Sequence, residues 1–221
     1  MIVDVVGNGP SCYNFTPSGN ITVGTNPGII KSKPDWLMIQ DEYTLDCLIA
    51  GKLKAVNAPA YLSLHAIHLI YTKWTLQQRK TLSTLIDIKT LSSKELSLIP
   101  EPFKFSRKNI ITYGRNYKWN LPISCGCMAV MFAIIKHDPS HIRCWGFDAH
   151  KDGYVVDLDH HLNRSDGYVK IDVLNLRRNR EKKYAHDDSS RDESYVYRGF
   201  LWQKTLEEIN SYFPDVTVEL M

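Results

Sequence analysis

Short runs of β-branched and other apolar residues recur along the chain, separated by longer stretches in which apolar positions return at helical spacing. Residues 2–6, Ile21-Thr22-Val23, Asp35-Trp36-Leu37-Met38-Ile39-Gln40-Asp41 and Ile142-Arg143-Cys144-Trp145 read as strands, and Val216–Leu220 as a last one. Tyr43–Ala50, Cys125–Lys136 and Tyr195–Tyr212 read as helices, the second almost wholly apolar and therefore central. Residues 75–97 look helical, closed by Pro100 and Pro102, while 58–72 are apolar enough to be either strand or buried helix. Asn109–Tyr113 and Tyr168–Val173 are further strand candidates. Strands alternating with helices predict an α/β fold: a single Rossmann-like domain over residues 1–221, with a mostly parallel sheet and helices on both faces.

Three of the strands stop at turns of small and polar residues: Gly7-Asn8-Gly9-Pro10-Ser11, Gly24-Thr25-Asn26-Pro27-Gly28 and Gly146-Phe147-Asp148. A fourth such cluster, Ser124-Cys125-Gly126, opens the central helix. In a parallel sheet all four converge at the carboxyl ends of the strands, where such folds bind nucleotides. Glycine lets backbone approach an anion, a following helix start aims N–H groups at it, and Asn and Ser side chains offer donors and acceptors to base and ribose. Ordinary βα turns have the same composition. No third glycine stands at dinucleotide spacing and no acidic residue ends the second strand, which argues against a dinucleotide.

Composition narrows the class without naming it. The 221 residues are 43% hydrophobic and 23% charged, which excludes wholesale disorder, and the net charge of +3 does not mark a nucleic-acid binder. No apolar run reaches membrane-spanning length, and the acid at Asp4 argues against a signal peptide. The five cysteines, Cys12, Cys47, Cys125, Cys127 and Cys144, lie in apolar segments and read as reduced core residues of a cytoplasmic protein without membrane attachment. Residues 177–192 turn strongly polar, a loop carrying the basic run Arg177–Lys183.

The Gly7-Asn8-Gly9-Pro10-Ser11 opening, Asn26 after the second strand, Ser124-Cys125-Gly126 and Gly146-Phe147-Asp148 together resemble the bacterial sialyltransferases of the type first described from Campylobacter. Order and approximate spacing agree over residues 1–150, and the last helix and strand also fit. The resemblance implies a single nucleotide-binding domain, a variant of the GT-A arrangement, that uses a CMP-activated sugar as donor with no metal and no further cofactor. By that analogy Gly7, Asn8, Gly9, Pro10, Ser11, Asn26, Ser124, Cys125, Gly126 and Gly146 line the CMP site, with Asp148 near the donor. Two positions depart from the family pattern: His150 stands where it has a tyrosine, with Tyr154 close by in sequence, and Cys125 replaces a serine.

Histidine is the natural general base for an acceptor hydroxyl near neutral pH. Among eight histidines, His186 lies just before the last helix, roughly where the family places its base. His160 and His161 come next, and His150 or Tyr154 is placed to assist departure of the phosphate. Asp157-Leu158-Asp159 is an alternative metal pair. It belongs to a second reading, a magnesium-dependent pyrophosphokinase of the pterin diphosphokinase type. A third reading is a nucleic-acid-binding module without turnover. The Arg177–Lys183 run, partly neutralised by Asp187, Asp188, Asp192 and Glu193, points to DNA as acceptor partner. Large bacterial viruses encode transferases of that kind, acting on hydroxymethylated bases such as hydroxymethylcytosine; the alternative acceptor is a cell-surface glycan.

Overall fold

The computed structural model describes residues 1–7, 10–25, 33–40, 42–51, 58–100, 124–147 and 203–221. Among them lie β1 (Ile2–Val6), a 3-10 turn (Pro10–Asn14), β2 (Ile21–Thr25), β3 (Trp36–Ile39), α1 (Glu42–Ile49), β4 (Pro59–Leu62), α2 (Leu64–Lys73) and α3 (Leu76–Leu85). There follow β5 (Asp87–Lys89), α4 (Ser93–Ser97), α5 (Cys125–His137), β6 (His141–Trp145), a helix over 203–212 and β7 (Thr217–Leu220). The strands form one sheet in the order β5-β4-β3-β2-β1-β6-β7, with every neighbouring pair parallel. The protein is an α/β fold of Rossmann-like form.

The period-2 alternation of the strands sorts their side chains to two faces. Val3, Val5, Val23, Met38, Tyr61, Ile142 and Cys144 pack on one side against α5 and against Leu206 and Ile209 of the helix over 203–212. Val6, Leu37, Ile39, Ala60 and Leu62 pack on the other against Leu45 and Leu48 of α1, Ala66 and Ile70 of α2, and Leu82 of α3. Residues 127–134 of α5 are all buried, as the apolar composition of that helix requires. The helix stops at Asp138, whose left-handed backbone (φ 46°) returns its N–H to the Ile134 carbonyl at 2.9 Å.

Two readings change. Residues 75–97 are not one helix. Thr75 and Gln78 form a capping box that starts α3, Ile86 turns extended (φ −138°, ψ 144°), and Asp87–Lys89 adds a short edge strand to β4. A second capping box, Ser92 with Glu95, then starts α4. The ambiguous 58–72 segment holds both elements: β4, then α2, separated by Ser63, which caps the helix through the Ala66 N–H at 3.0 Å. Among the described residues no helix is long and apolar enough to cross a membrane.

Candidate functional site

The strand order reverses at β1, which has β2 on one side and β6 on the other. Register pairs Val6 with Trp145, so the two strands end together, and the Gly7 N–H donates to the Trp145 carbonyl at 2.6 Å. Beyond that bond the two chains touch. A Cβ on Gly7 would lie 2.7 Å from the Gly146 carbonyl oxygen, and one on Gly146 (φ 73°) would lie 2.7 Å from the Gly7 carbonyl oxygen. The 3-10 turn after β1 closes the same place, since the Gly146 N–H donates to Ser11 Oγ at 2.8 Å. Both glycines are therefore required by the mutual approach of two strand ends, a role separate from any approach to a ligand.

Because β3 and α5 run in opposite directions across the sheet, the start of α5 comes to the end of β3. Cys125 Sγ donates to the Met38 carbonyl at 3.3 Å. Ser124 caps the helix by accepting the Cys127 N–H at 3.1 Å. Helix geometry gives the Gly126 amide no intrahelical partner, and the macrodipole places partial positive charge there. Phe147 lies against this turn: a Cβ on Gly126 would come within 2.8 Å of its Cε1 and Cζ. Burial pushes the Cys127 thiol up to about 12, so it is neutral and chemically inert; Cys144 is likewise buried and raised. None of the five cysteines is in a disulfide.

Earlier along the same two strands, Asp4 is fully buried. Its carboxylate accepts from Arg143 Nε at 2.8 Å and the Arg143 guanidinium at 2.9 Å, from Trp145 Nε1 at 3.1 Å, from Asn20 at 3.1 Å and from Ser18 at 3.2 Å. Burial raises its pKa, but hydrogen bonds from Arg143, Asn20 and Trp145 together with the guanidinium charge outweigh that and hold it below the ordinary value. The network binds β1 to β6 just ahead of their paired glycines.

Of the residues assigned from sequence, Gly7, Ser11, Ser124, Cys125, Gly126 and Gly146 stand at the carboxyl edge of the sheet around the end of β1, and Pro10 opens the 3-10 turn there. Asn8, Gly9, Asn26, Asp148, His150, Tyr154 and His186 lie outside the described residues, as do His160, His161, Asp157, Asp159 and the loop of residues 177–192. Sequence reasoning gave Phe147 no role and saw Asp4 only as an acid in an apolar strand. A cavity of about 570 Å³ lined by Ser92, Glu95, Ile134, Asp138 and Phe213 lies at the far end of α5 and shares no residue with this cluster. Comparison of the chain with protein-family models, curated proteins and solved structures gives no match.

Proposed function

We propose that the protein is an inverting, metal-independent glycosyltransferase that takes its sugar from a CMP-activated donor. The observation that carries the reading is the meeting of Gly7, Ser11, Gly146 and the first turn of α5 where the order of a parallel sheet reverses. Open α/β sheets bind ligands in the crevice at that point, and a helix N-terminus there favours a phosphate. The resemblance in residue order to the sialyltransferases supplies the cytidine and the sugar. In this reading the acceptor oxygen attacks the anomeric carbon as the bond to the CMP phosphate breaks. His186 takes the acceptor proton, and His150 or Tyr154 supports the departing phosphate; these three assignments rest on sequence alone.

Thermal unfolding with a nucleotide panel tests the donor. A ligand at a hundredfold excess over Kd stabilises by about 2.7 kcal/mol, which for a chain this long raises Tm by roughly 5–11 °C. CMP or CDP should give the largest rise, and a preference for UDP, GDP or ATP refutes the assignment. Turnover should survive EDTA; loss of activity there points instead to the pyrophosphokinase reading and to Asp157 and Asp159.

For the acceptor we propose DNA carrying a hydroxymethylated base, on the strength of the Arg177–Lys183 run. A base in a duplex must be flipped out, at a few kcal/mol, and phosphate contacts offset that cost. Serine at Arg177, Arg178, Arg180, Lys182 and Lys183 should raise KM for DNA and flatten its salt dependence without changing CMP affinity. Equal activity in the substituted protein makes the run a solvated loop, and consumption of a galactoside acceptor with no DNA product replaces DNA by glycan.

A further inference from the structure

Phe147 is 4% exposed and belongs to the core between the sheet and α5, yet it immediately follows the β6 turn that meets Gly7. Its ring occupies the space that two glycines from distant parts of the chain leave open. Cδ2 stands 3.2 Å from where a Gly7 Cβ would be, and Cε1 and Cζ stand 2.8 Å from where a Gly126 Cβ would be. The ring therefore lies between the end of β1 and the first turn of α5. Both neighbours are anchored elsewhere, Gly7 by its bond to the Trp145 carbonyl and the helix start by the bond from Cys125 to the Met38 carbonyl. Glycine is also among the poorest helix formers, so its presence in the first turn of an otherwise apolar helix calls for a reason, and the ring provides one.

We propose that Phe147 is a positioning residue for the nucleotide site: wedged between Gly7 and Gly126, its ring sets the separation between Gly7 at the end of β1 and the first turn of α5. The inference rests on the proposed reading that these two backbone segments hold the nucleotide together. Amides that share one phosphate must keep their spacing to within about half an ångström to act in concert. A smaller side chain at 147 lets the helix start settle toward β1, and a larger one at 126 drives the two apart. Gly126 is then required by the ring rather than by the ligand.

The test measures CMP affinity, urea stability and the alkylation rate of Cys125 in the wild type and in Phe147→Ala, Phe147→Leu, Gly126→Ala and the double variant Gly126→Ala/Phe147→Leu. Cys125 is partly exposed, sits on the same helical turn and reports its position without any nucleotide. Phe147→Ala should lower CMP affinity tenfold or more and change the Cys125 rate several-fold while unfolding cooperatively. Phe147→Leu should show the same changes to a smaller degree and serves alone if the alanine variant does not fold. Gly126→Ala should lose both stability and affinity, and the double variant should regain both. The proposal is overturned if the folded Phe147 variants keep wild-type affinity and Cys125 rate, or if the double variant regains stability without affinity, which assigns Gly126 to the ligand. A wild type that binds no cytidine nucleotide refutes the reading of the site; the Cys125 rates then still decide whether Phe147 sets the helix start.

Discussion

Asp4→Ala should be among the most damaging single substitutions outside the apolar core. The carboxylate has no exposed surface, and five donor contacts from Arg143, Trp145, Asn20 and Ser18 converge on it. Removing one member of a buried ion pair costs about 3–5 kcal/mol. The Arg143 side chain is 26% exposed and can recover water, so the lower end applies, about 3 kcal/mol against a total stability of roughly 5–15. That corresponds to a fall of about 150-fold in the folded-to-unfolded ratio. Urea unfolding followed by tryptophan fluorescence should show a lower midpoint at unchanged slope. A cycle with Arg143→Met should give a coupling energy of about 1.5–3 kcal/mol. The pH dependence has a fixed sign. With the folded pKa below 3.8, the unfolded chain takes up the proton first as pH falls. The contribution of Asp4 is thus complete above the unfolded value and is lost as pH drops through the folded one, so wild type and Asp4→Ala converge in acid. A loss under about 1 kcal/mol, or a gap that widens in acid, refutes the reasoning.

Glu95→Gln keeps the capping box of α4 but removes the 2.6 Å ion pair with Lys136, and should cost about 1 kcal/mol at neutral pH. The Lys136 contact, then the bonds from Ser92, hold Glu95 at about 2, so the difference from wild type should be full above pH 4.5 and close as pH falls toward 2. Gly146→Ala combines a left-handed φ of 73° with a backbone clash and should lose about 3 kcal/mol in urea titration. Gly19→Ala, at φ 82° with nothing within 4 Å, should lose only about 1 kcal/mol; equal losses would remove the close approach as the cause. A thiol reagent should label Cys125 first in the native protein, whereas Cys127, buried and raised to about 12, should react only on unfolding.

The elements with a clean period were legible from the chain alone. β1, β2, β3, α1, α5, β6 and β7 begin and end within about two residues of where the apolar pattern places them, and parallel order followed from their alternation. The 75–97 stretch was misread because its polar residues hide a break. The two signals that mark it, Thr75 with Gln78 and Ser92 with Glu95, are capping boxes visible in sequence, and Ile86-Asp87-Ile88 between them has strand alternation. The long-range pairs were not legible in the same way. Nothing local announces that Asp4 will meet Arg143 or that Gly126 will meet Phe147, because only the sheet order β2-β1-β6 brings those positions together.

The glycines show why composition at strand ends is an ambiguous signal. Gly7, Gly126 and Gly146 read equally well as backbone opened for a phosphate and as backbone opened for protein, and in the fold each faces protein: Gly146, Phe147 and Gly7 respectively. The space left by their missing side chains is thus already assigned, and loss of nucleotide binding on substituting any one of them follows from either reading. Under the proposed reading, what is specific to an anion is the row of amides at the start of α5, where the cap at Ser124, the Cys125 bond to Met38 and the ring of Phe147 meet. Weakening the Cys125 bond leaves the glycines untouched. Cys125→Ser should therefore keep nucleotide affinity, since the hydroxyl can donate to the same carbonyl, and Cys125→Ala should lower it with only a small change in stability. If Cys125→Ala binds as tightly as Cys125→Ser, the bond to the Met38 carbonyl does not set the direction of the amide row, and that part of the reasoning fails.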